Sequence, residues 1–282
     1  MPKVSVLTPI YNTEPEHLRQ AIESILNQTF TDFEFIILND SPWNTEIEDI
    51  VLAYKDARIK YVKNDKNIGI SKSRNKLLSL ASGEYLAIFD HDDISLPTRL
   101  EKQVDFLDKN PMVGLVSSNT EWFPGHHKTN HPSDNLEIKK HLMFADVVAH
   151  TAMMVRKSVL DDNNIKYEEQ YSPAEDYKLV LTLVDYTMFH NIPEVLVRYR
   201  FLETNTTHRQ WAKMQNADAL CRNFAARQYP YLYSFYTQQH VQHENKYWIR
   251  LFDLIPLIRV KQKPHKDRWY LFGFIPLVAV KR

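Results

Sequence analysis

The chain has 282 residues, 44% of them hydrophobic, a formal net charge of zero and a single cysteine, Cys221. That length buries one substantial core, or a core with a smaller appended unit. One cysteine excludes an internal disulfide framework and any cysteine-based zinc site, and points to a reducing compartment.

The neutral total conceals an asymmetry. Residues 245 to 282 carry a net +7, which leaves −7 on the remainder. Such a basic tail calls for an anionic partner, most simply a membrane surface. No nucleic-acid partner is expected. Met1-Pro2-Lys3 leads straight into Val4-Ser5-Val6-Leu7-Thr8 without a signal-peptide pattern, so a cytoplasmic location is expected, with the sequons at Asn27 and Asn205 as chance matches.

In chain order, Val4 to Leu7, Phe35 to Leu38, Ile59 to Val62, Tyr85 to Phe89 and Val113 to Val116 read as strands. Between them, Thr13-Glu14-Pro15-Glu16 has the form of a capping box ahead of the helically spaced Leu18, Ala21, Ile22, Ile25 and Leu26, and Thr45 to Glu48 repeats the box before Ile50-Val51. A third helix is expected from Ser71, closed by Gly83 as a left-handed C′ residue. Gly69 precedes Ser71-Lys72-Ser73-Arg74-Asn75, where a tight turn would bring the backbone or Arg74 close to an anionic ligand. Strand and helix alternating in this rhythm give an α/β fold with a mostly parallel sheet, whose ligands sit beyond the carboxyl ends of the strands. Three polar clusters fall at such ends: Thr8-Pro9-Ile10-Tyr11-Asn12, Asn39-Asp40-Ser41 and Asp90-His91-Asp92-Asp93. No glycine-rich dinucleotide or Walker pattern is present.

The third cluster packs three carboxylates into four positions, where they repel one another unless a cation sits between them. Oxygen-only ligation of this kind suits Mg2+ or Mn2+. The alternative is a solvated acidic turn ahead of the helix that Pro97 starts.

Taken together, these segments resemble the family 2 inverting glycosyltransferases of the GT-A, Rossmann-like nucleotide-sugar fold. The resemblance runs from Val4 through Asn12, then Ser24-Ile25-Leu26-Asn27-Gln28-Thr29-Phe30, Leu38-Asn39-Asp40-Ser41, Asn67-Ile68-Gly69 with Arg74-Asn75, Ser82-Gly83-Glu84-Tyr85 and Asp90-His91-Asp92-Asp93, followed by Pro97 and Arg99. It implies that Thr8, Pro9 and Tyr11 line the nucleoside pocket, that Asp40 accepts a hydrogen bond from a uracil-like base, and that Arg74 faces the base or diphosphate. Asp90 and Asp92 would reach the ribose and metal region, with Mn2+ or Mg2+ on Asp92 and Asp93. One departure is visible: Asn39-Asp40-Ser41-Pro42 stands where Asp-Asp-Gly-Ser is usual, so the turn lacks its glycine.

Past residue 120 the likeness thins to two landmarks. His150-Thr151-Ala152-Met153-Met154 resembles the acceptor-side segment, and Glu175-Asp176 resembles the acidic pair that supplies the catalytic base, assigned to Asp176; its other reading is an acid opening a helix. Arg200 falls where relatives place a basic residue near the lid, in reach of the diphosphate, and is equally readable as a surface arginine closing a strand. His126, His127 and His131 lack the partners of a zinc site, and His91 receives no ligand role.

The domains implied are a catalytic domain over 1–205, with nucleotide-sugar binding in 1–120 and the acceptor side in 121–205, and a helical, basic-aromatic extension over 206–282. The expected activity is metal-dependent transfer of a sugar from a nucleotide diphosphate, UDP-sugar in the first instance, to a hydroxyl of a growing surface glycan of lipopolysaccharide or capsule type. Two other readings are a nucleotide-sugar-forming transferase, which lacks its glycine-rich loop here, and a non-catalytic glycan-binding scaffold. Trp269 to Val280, flanked by basic residues and broken by Pro276, is too short to span a bilayer and is expected to lie at the inner face of the membrane or to pack as a strand or helix.

Overall fold

The computed structural model describes residues 1–202, 210–235, 246–251, 255–263, 266–271 and 275–281. The sequon at Asn205, the boundary expected at 205, Phe272-Gly273-Phe274 of the tail and Arg282 lie outside the described residues. The chain divides into two compact units, Met1–Gln228 and Tyr229–Arg282.

In the first unit, β1 (Val4–Ile10), β2 (Phe33–Asn39), β3 (Ile59–Lys63), β4 (Tyr85–Ile88), β5 (Ile94–Ser95), β6 (Val113–Phe123), β7 (Met154–Arg156) and β8 (Met188–Arg200) form one sheet in the order β3-β2-β1-β4-β7-β6-β8-β5. The first four in that order are parallel, while β7 runs antiparallel to both neighbours. Every residue of β1 and β2 is buried, the pattern of strands covered on both faces by crossover helices. Those helices are α1 (Pro15–Leu26), α2 (Thr45–Ala53), α3 (Ile70–Leu80) and α4 (Arg99–Lys109), followed by α5 (Asn135–His141), α6 (Lys157–Asp162), α7 (Glu175–Leu183) and α8 (Trp211–Gln228).

From β1 the chain steps to β2 and β3 on one side, and then to β4 on the other. This reversal opens a crevice above the carboxyl ends of β1, β2 and β4, the place where open α/β sheets bind ligands. β4 pairs with β1 only as far as Leu7↔Ile88, so Pro9, which cannot donate to a ladder, lies past the paired stretch on that side.

Two local expectations are corrected. Neither capping box forms: α1 begins at Pro15 with Glu14 as N-cap and no side-chain cap, and α2 is capped by Asn44, whose side chain accepts from Ile47 N–H. Gly83 does not adopt a left-handed conformation; among the described glycines only Gly69 (φ 86°) and Gly125 (φ 123°) do. Gly83 is required by close approach instead, since a Cβ there would lie 2.6 Å from the Ser5 backbone nitrogen.

The helical part of the expected extension is α8. Beyond it, β9 (Lys246–Leu251), β10 (Ile255–Lys263), β11 (Lys266–Leu271) and β12 (Ile275–Lys281) form an antiparallel sheet in the order β12-β11-β10-β9. The alternation in Ile258-Arg259-Val260-Lys261 has the period of a strand, not of a helix. Among the described residues no helix is long and apolar enough to cross a membrane.

Candidate active site

The crevice is floored by Asp40 at the end of β2. Its carboxylate is buried and accepts from Asn64 Nδ2 (2.7 Å), Ile68 N (2.9 Å) and Gly69 N (3.0 Å), so it fixes the loop that leads into α3. Gly69, at φ 86°, supplies the backbone turn that lets two successive N–H groups reach one carboxylate. The Thr8 hydroxyl is also spent on structure, donating to Phe89 O at 2.8 Å. Tyr11 is 48% exposed and lies edge to face with Trp43. The loops after β1 and β2 are joined through Asp40 N to Ile10 O (2.8 Å) and Asn12 N to Ser41 Oγ (3.4 Å).

The acidic quartet follows β4. Asp90 and Asp92 keep 29% and 23% of their side chains exposed, whereas Asp93 is fully buried. Asp93 Oδ1 accepts from the Arg200 backbone N–H at 2.8 Å, and the Thr151 hydroxyl also favours its charged form. Burial, reinforced by the charges of Asp92 and Asp90, pushes the Asp93 carboxyl well above its usual range. Arg200, far from being a surface arginine, is itself largely buried: its Nε donates to Asp92 O (2.6 Å), its Nη2 to Gln20 Oε1 (2.6 Å), and its guanidinium lies 4.5 Å from the Phe123 ring centroid. Behind the quartet, Arg99 is fully buried on the carbonyls of Ile88 and Met153.

Among the described residues no three His, Cys, Asp or Glu side chains converge on a point where they could hold a metal ion. The donor chemistry nonetheless fits a hard divalent cation. The quartet's three carboxylates offer oxygen donors, Asp90 and Asp92 keep part of their side chains exposed, and Mg2+ is commonly held by one or two carboxylates with substrate phosphates completing the shell.

Opposite the quartet, Arg74 in the first turns of α3 reaches Glu175 at the start of α7, with Nη1 2.6 Å from Oε1, while its Nη2 stands 3.4 Å from Asp90 Oδ1. The guanidinium also lies over the Tyr167 ring at 5.5 Å. Burial opposes its charge, but Asp90 and Glu175 more than offset this and hold Arg74 as a cation. Beside this pair, Asp176 is pushed up to about 6 by burial and by the Glu175 carboxylate, against the opposing pull of Arg74. His150 Nε2 lies 2.9 Å from Tyr167 OH, and its burial favours the neutral imidazole. Thr151 Oγ1 accepts from Asp90 N at 3.2 Å, tying the acceptor-side segment to the quartet.

The structure thus brings Asp90, Arg74, Glu175 and Asp176 together, with Asp92 in the same acidic turn as Asp90, and sets Tyr11 and Asp40 in the joined loops that follow β1 and β2. Thr8, Pro9 and Asp93 lie in the buried shell beneath. Glu175 was marked in the sequence only as one of an acidic pair, and Tyr167 and Asn64 carry no sequence signal of their own; the pairing of their charges and polar groups in space gives them their roles.

Residues 5–163 match the glycosyl transferase family 2 model. An uncharacterized glycosyltransferase of Methanocaldococcus jannaschii is 38% identical over 71% of this chain and 71% of its own. The amylovoran biosynthesis glycosyltransferase AmsE of Erwinia amylovora is 29% identical over 70% of this chain and 75% of its own. Among solved structures, S. aureus TarS in complex with UDP-GlcNAc superposes with a TM-score of 0.68 at 18% identity, over 85% of this chain and 73% of that one. With a matching family profile over more than half its length and a GT-A-like sheet, this chain is a glycosyltransferase and belongs to glycosyl transferase family 2.

Proposed function

We propose that the chain is a metal-dependent, inverting transferase that moves a sugar from a nucleotide diphosphate, UDP-sugar in the first instance, to a hydroxyl of a surface polysaccharide. The observation that carries this reading is the Arg74 bridge, which ties the partly exposed Asp90, in the same turn as Asp92, to Glu175 beside an Asp176 of raised basicity. TarS, with its bound UDP-GlcNAc, supports the donor, and the name of AmsE supports a polysaccharide acceptor.

Asp176 takes the acceptor hydroxyl proton. A carboxyl held at about 6 is ionised at neutral pH yet basic enough to accept a proton in the transition state. Arg74 holds Asp90 and Glu175 in place on the two sides of the crevice, and the Arg200 main chain and side chain hold the quartet. Asp92 is the carboxylate that would bind Mn2+ or Mg2+. Asp93, assigned to the metal from its position in the sequence, sits beneath it with one oxygen committed to Arg200 N–H and no exposed surface. The cation would neutralise the charge that develops on the departing diphosphate. Asp40 uses three of its four acceptor positions on the loop, which leaves one for a base N–H.

The reading places the enzyme at the inner face of the membrane, with the +7 tail against anionic lipid and a lipid-linked glycan as acceptor. Co-sedimentation with anionic vesicles, weakened by salt and reduced by removing residues 264–282, tests this. The donor is tested by incubating the protein with a panel of nucleotide sugars with and without EDTA. Hydrolysis of a UDP-sugar that EDTA abolishes is expected; turnover unaffected by chelator would refute the metal assignment, and UDP binding with no turnover under any condition would favour the non-catalytic reading.

A further inference from the structure

Trp43 lies in the turn after β2 and is 58% exposed. What sets it apart from a singly exposed side chain is its ring contact with Tyr11, itself 48% exposed, which makes a paired aromatic patch in the loops beside Asp40. The turn is firm: Asn44 N donates to Ser41 O at 2.9 Å, and the Asn44 side chain caps α2. It is also the turn in which Ser41-Pro42 departs from the glycine-containing pattern that the segment resembles.

The indole meets the Tyr11 ring at a centroid distance of 6.0 Å and an interplanar angle of 87°. Tyr11 is positioned by its own turn, in which Asn12 adopts φ 46°, a left-handed conformation that Asn tolerates. Two half-exposed aromatic faces at right angles therefore make a corner in the loops that flank Asp40. A flat heteroaromatic ring lying on one face presents its edge to the other, an arrangement that aromatic pairs favour. A saccharide could use one such face, but a perpendicular pair next to a buried carboxylate with a spare acceptor position matches a planar base bearing an N–H.

We propose that Trp43 is a specificity-determining residue of the donor site, forming with Tyr11 the aromatic corner that receives the nucleobase. This rests on the nucleotide-sugar reading above.

The test is calorimetric titration of the full chain with UDP in the presence of Mn2+, with pyrophosphate as the base-free control. Trp43→Ala should weaken UDP binding by about tenfold or more, the scale of losing one aromatic stack, while pyrophosphate affinity stays unchanged. Trp43→Phe should bind UDP within about twofold of wild type, because the ring is kept, and should lose most of the UDP-dependent quenching of tryptophan fluorescence. Equal UDP affinity of Trp43→Ala and wild type, or quenching that persists in full in Trp43→Phe, would overturn the proposal while leaving the donor reading intact. A parallel loss of pyrophosphate affinity in Trp43→Ala would also overturn it, by placing the effect on the diphosphate side. A wild-type chain that binds neither UDP nor GDP would overturn the donor reading and this inference with it.

Discussion

Arg74 Nη1 lies 2.6 Å from Glu175 Oε1, joining two residues 101 positions apart in sequence, and its Nη2 faces Asp90. One guanidinium therefore braces the donor side of the crevice against the helix that carries Asp176. Arg74→Met leaves Glu175 as a buried, unpaired charge, and a loss of about 3–5 kcal/mol in stability is expected by denaturant unfolding. Glu175→Gln keeps the shape but removes the neighbouring negative charge that raises Asp176. The acid limb of the pH–rate profile should then move to lower pH; an unmoved limb would detach Glu175 from the base.

Asp176→Asn removes the proposed base, so transfer should fall by about 10²- to 10⁴-fold with UDP affinity unchanged. The same substitution should stabilise the fold at neutral pH. The folded-state pKa of Asp176, about 6, lies above its unfolded value near 3.8, so between these values the native state binds more protons and stability declines as pH rises through the window. The neutral side chain escapes that cost. A gain on the order of 1 kcal/mol, or about 2–4 °C in Tm, is expected, and a melting scan at pH 7 checks it.

Asp92 and Asp93 should separate experimentally. Asp92→Asn is expected to abolish metal-dependent turnover and Mn2+-enhanced UDP binding. Asp93→Asn retains an oxygen for the Arg200 N–H and replaces a carboxyl whose charged form is disfavoured by burial, so it should fold at least as stably as wild type and bind Mn2+-UDP within about tenfold of wild type. A loss as complete in Asp93→Asn as in Asp92→Asn would make Asp93 a direct ligand.

Glu34 tests the scaffold beneath the site. Its buried carboxylate accepts from Ser5 Oγ (2.5 Å), Ser82 N (2.8 Å) and Ser82 Oγ (2.8 Å) and pairs with Lys60 (2.5 Å). Burial pushes its pKa up, but these partners overcome it and hold it at about 2. Its stabilisation is present above the unfolded value near 4.5 and is lost as pH falls toward 2. Glu34→Ala strands the Ser82 N–H and two hydroxyls, and a cost of about 2–3 kcal/mol is expected from urea unfolding at pH 7. In this variant the decline of stability between pH 4.5 and 2 should also flatten.

The parallel half of the sheet was legible because β1, β2 and β4 are predominantly apolar runs ending in polar clusters, the pattern that burial on both faces favours. The long β8 was legible only at its end, as the strand that Arg200 closes, since Glu194 and Pro193 interrupt it and its pairing with β6 and β5 completes it. Gly83 showed in the sequence as a glycine with a task, but the task is Cβ exclusion by Ser5, a contact 78 residues away that no local pattern encodes. Asp90, Asp92 and Asp176 stood out as acids at the ends of elements. The roles of Glu175 and Arg200 did not, because each is defined by a partner about a hundred positions distant.

The account depends most on Asp176 acting as a base in a single displacement across this crevice. NMR of the product formed from an α-linked UDP-sugar donor reads this directly through the anomeric coupling of the transferred sugar. The account predicts a β-linked product made by the wild-type chain and a rate lowered by at least about 100-fold in Asp176→Asn; an α-linked product, or an undiminished rate in Asp176→Asn, would contradict it.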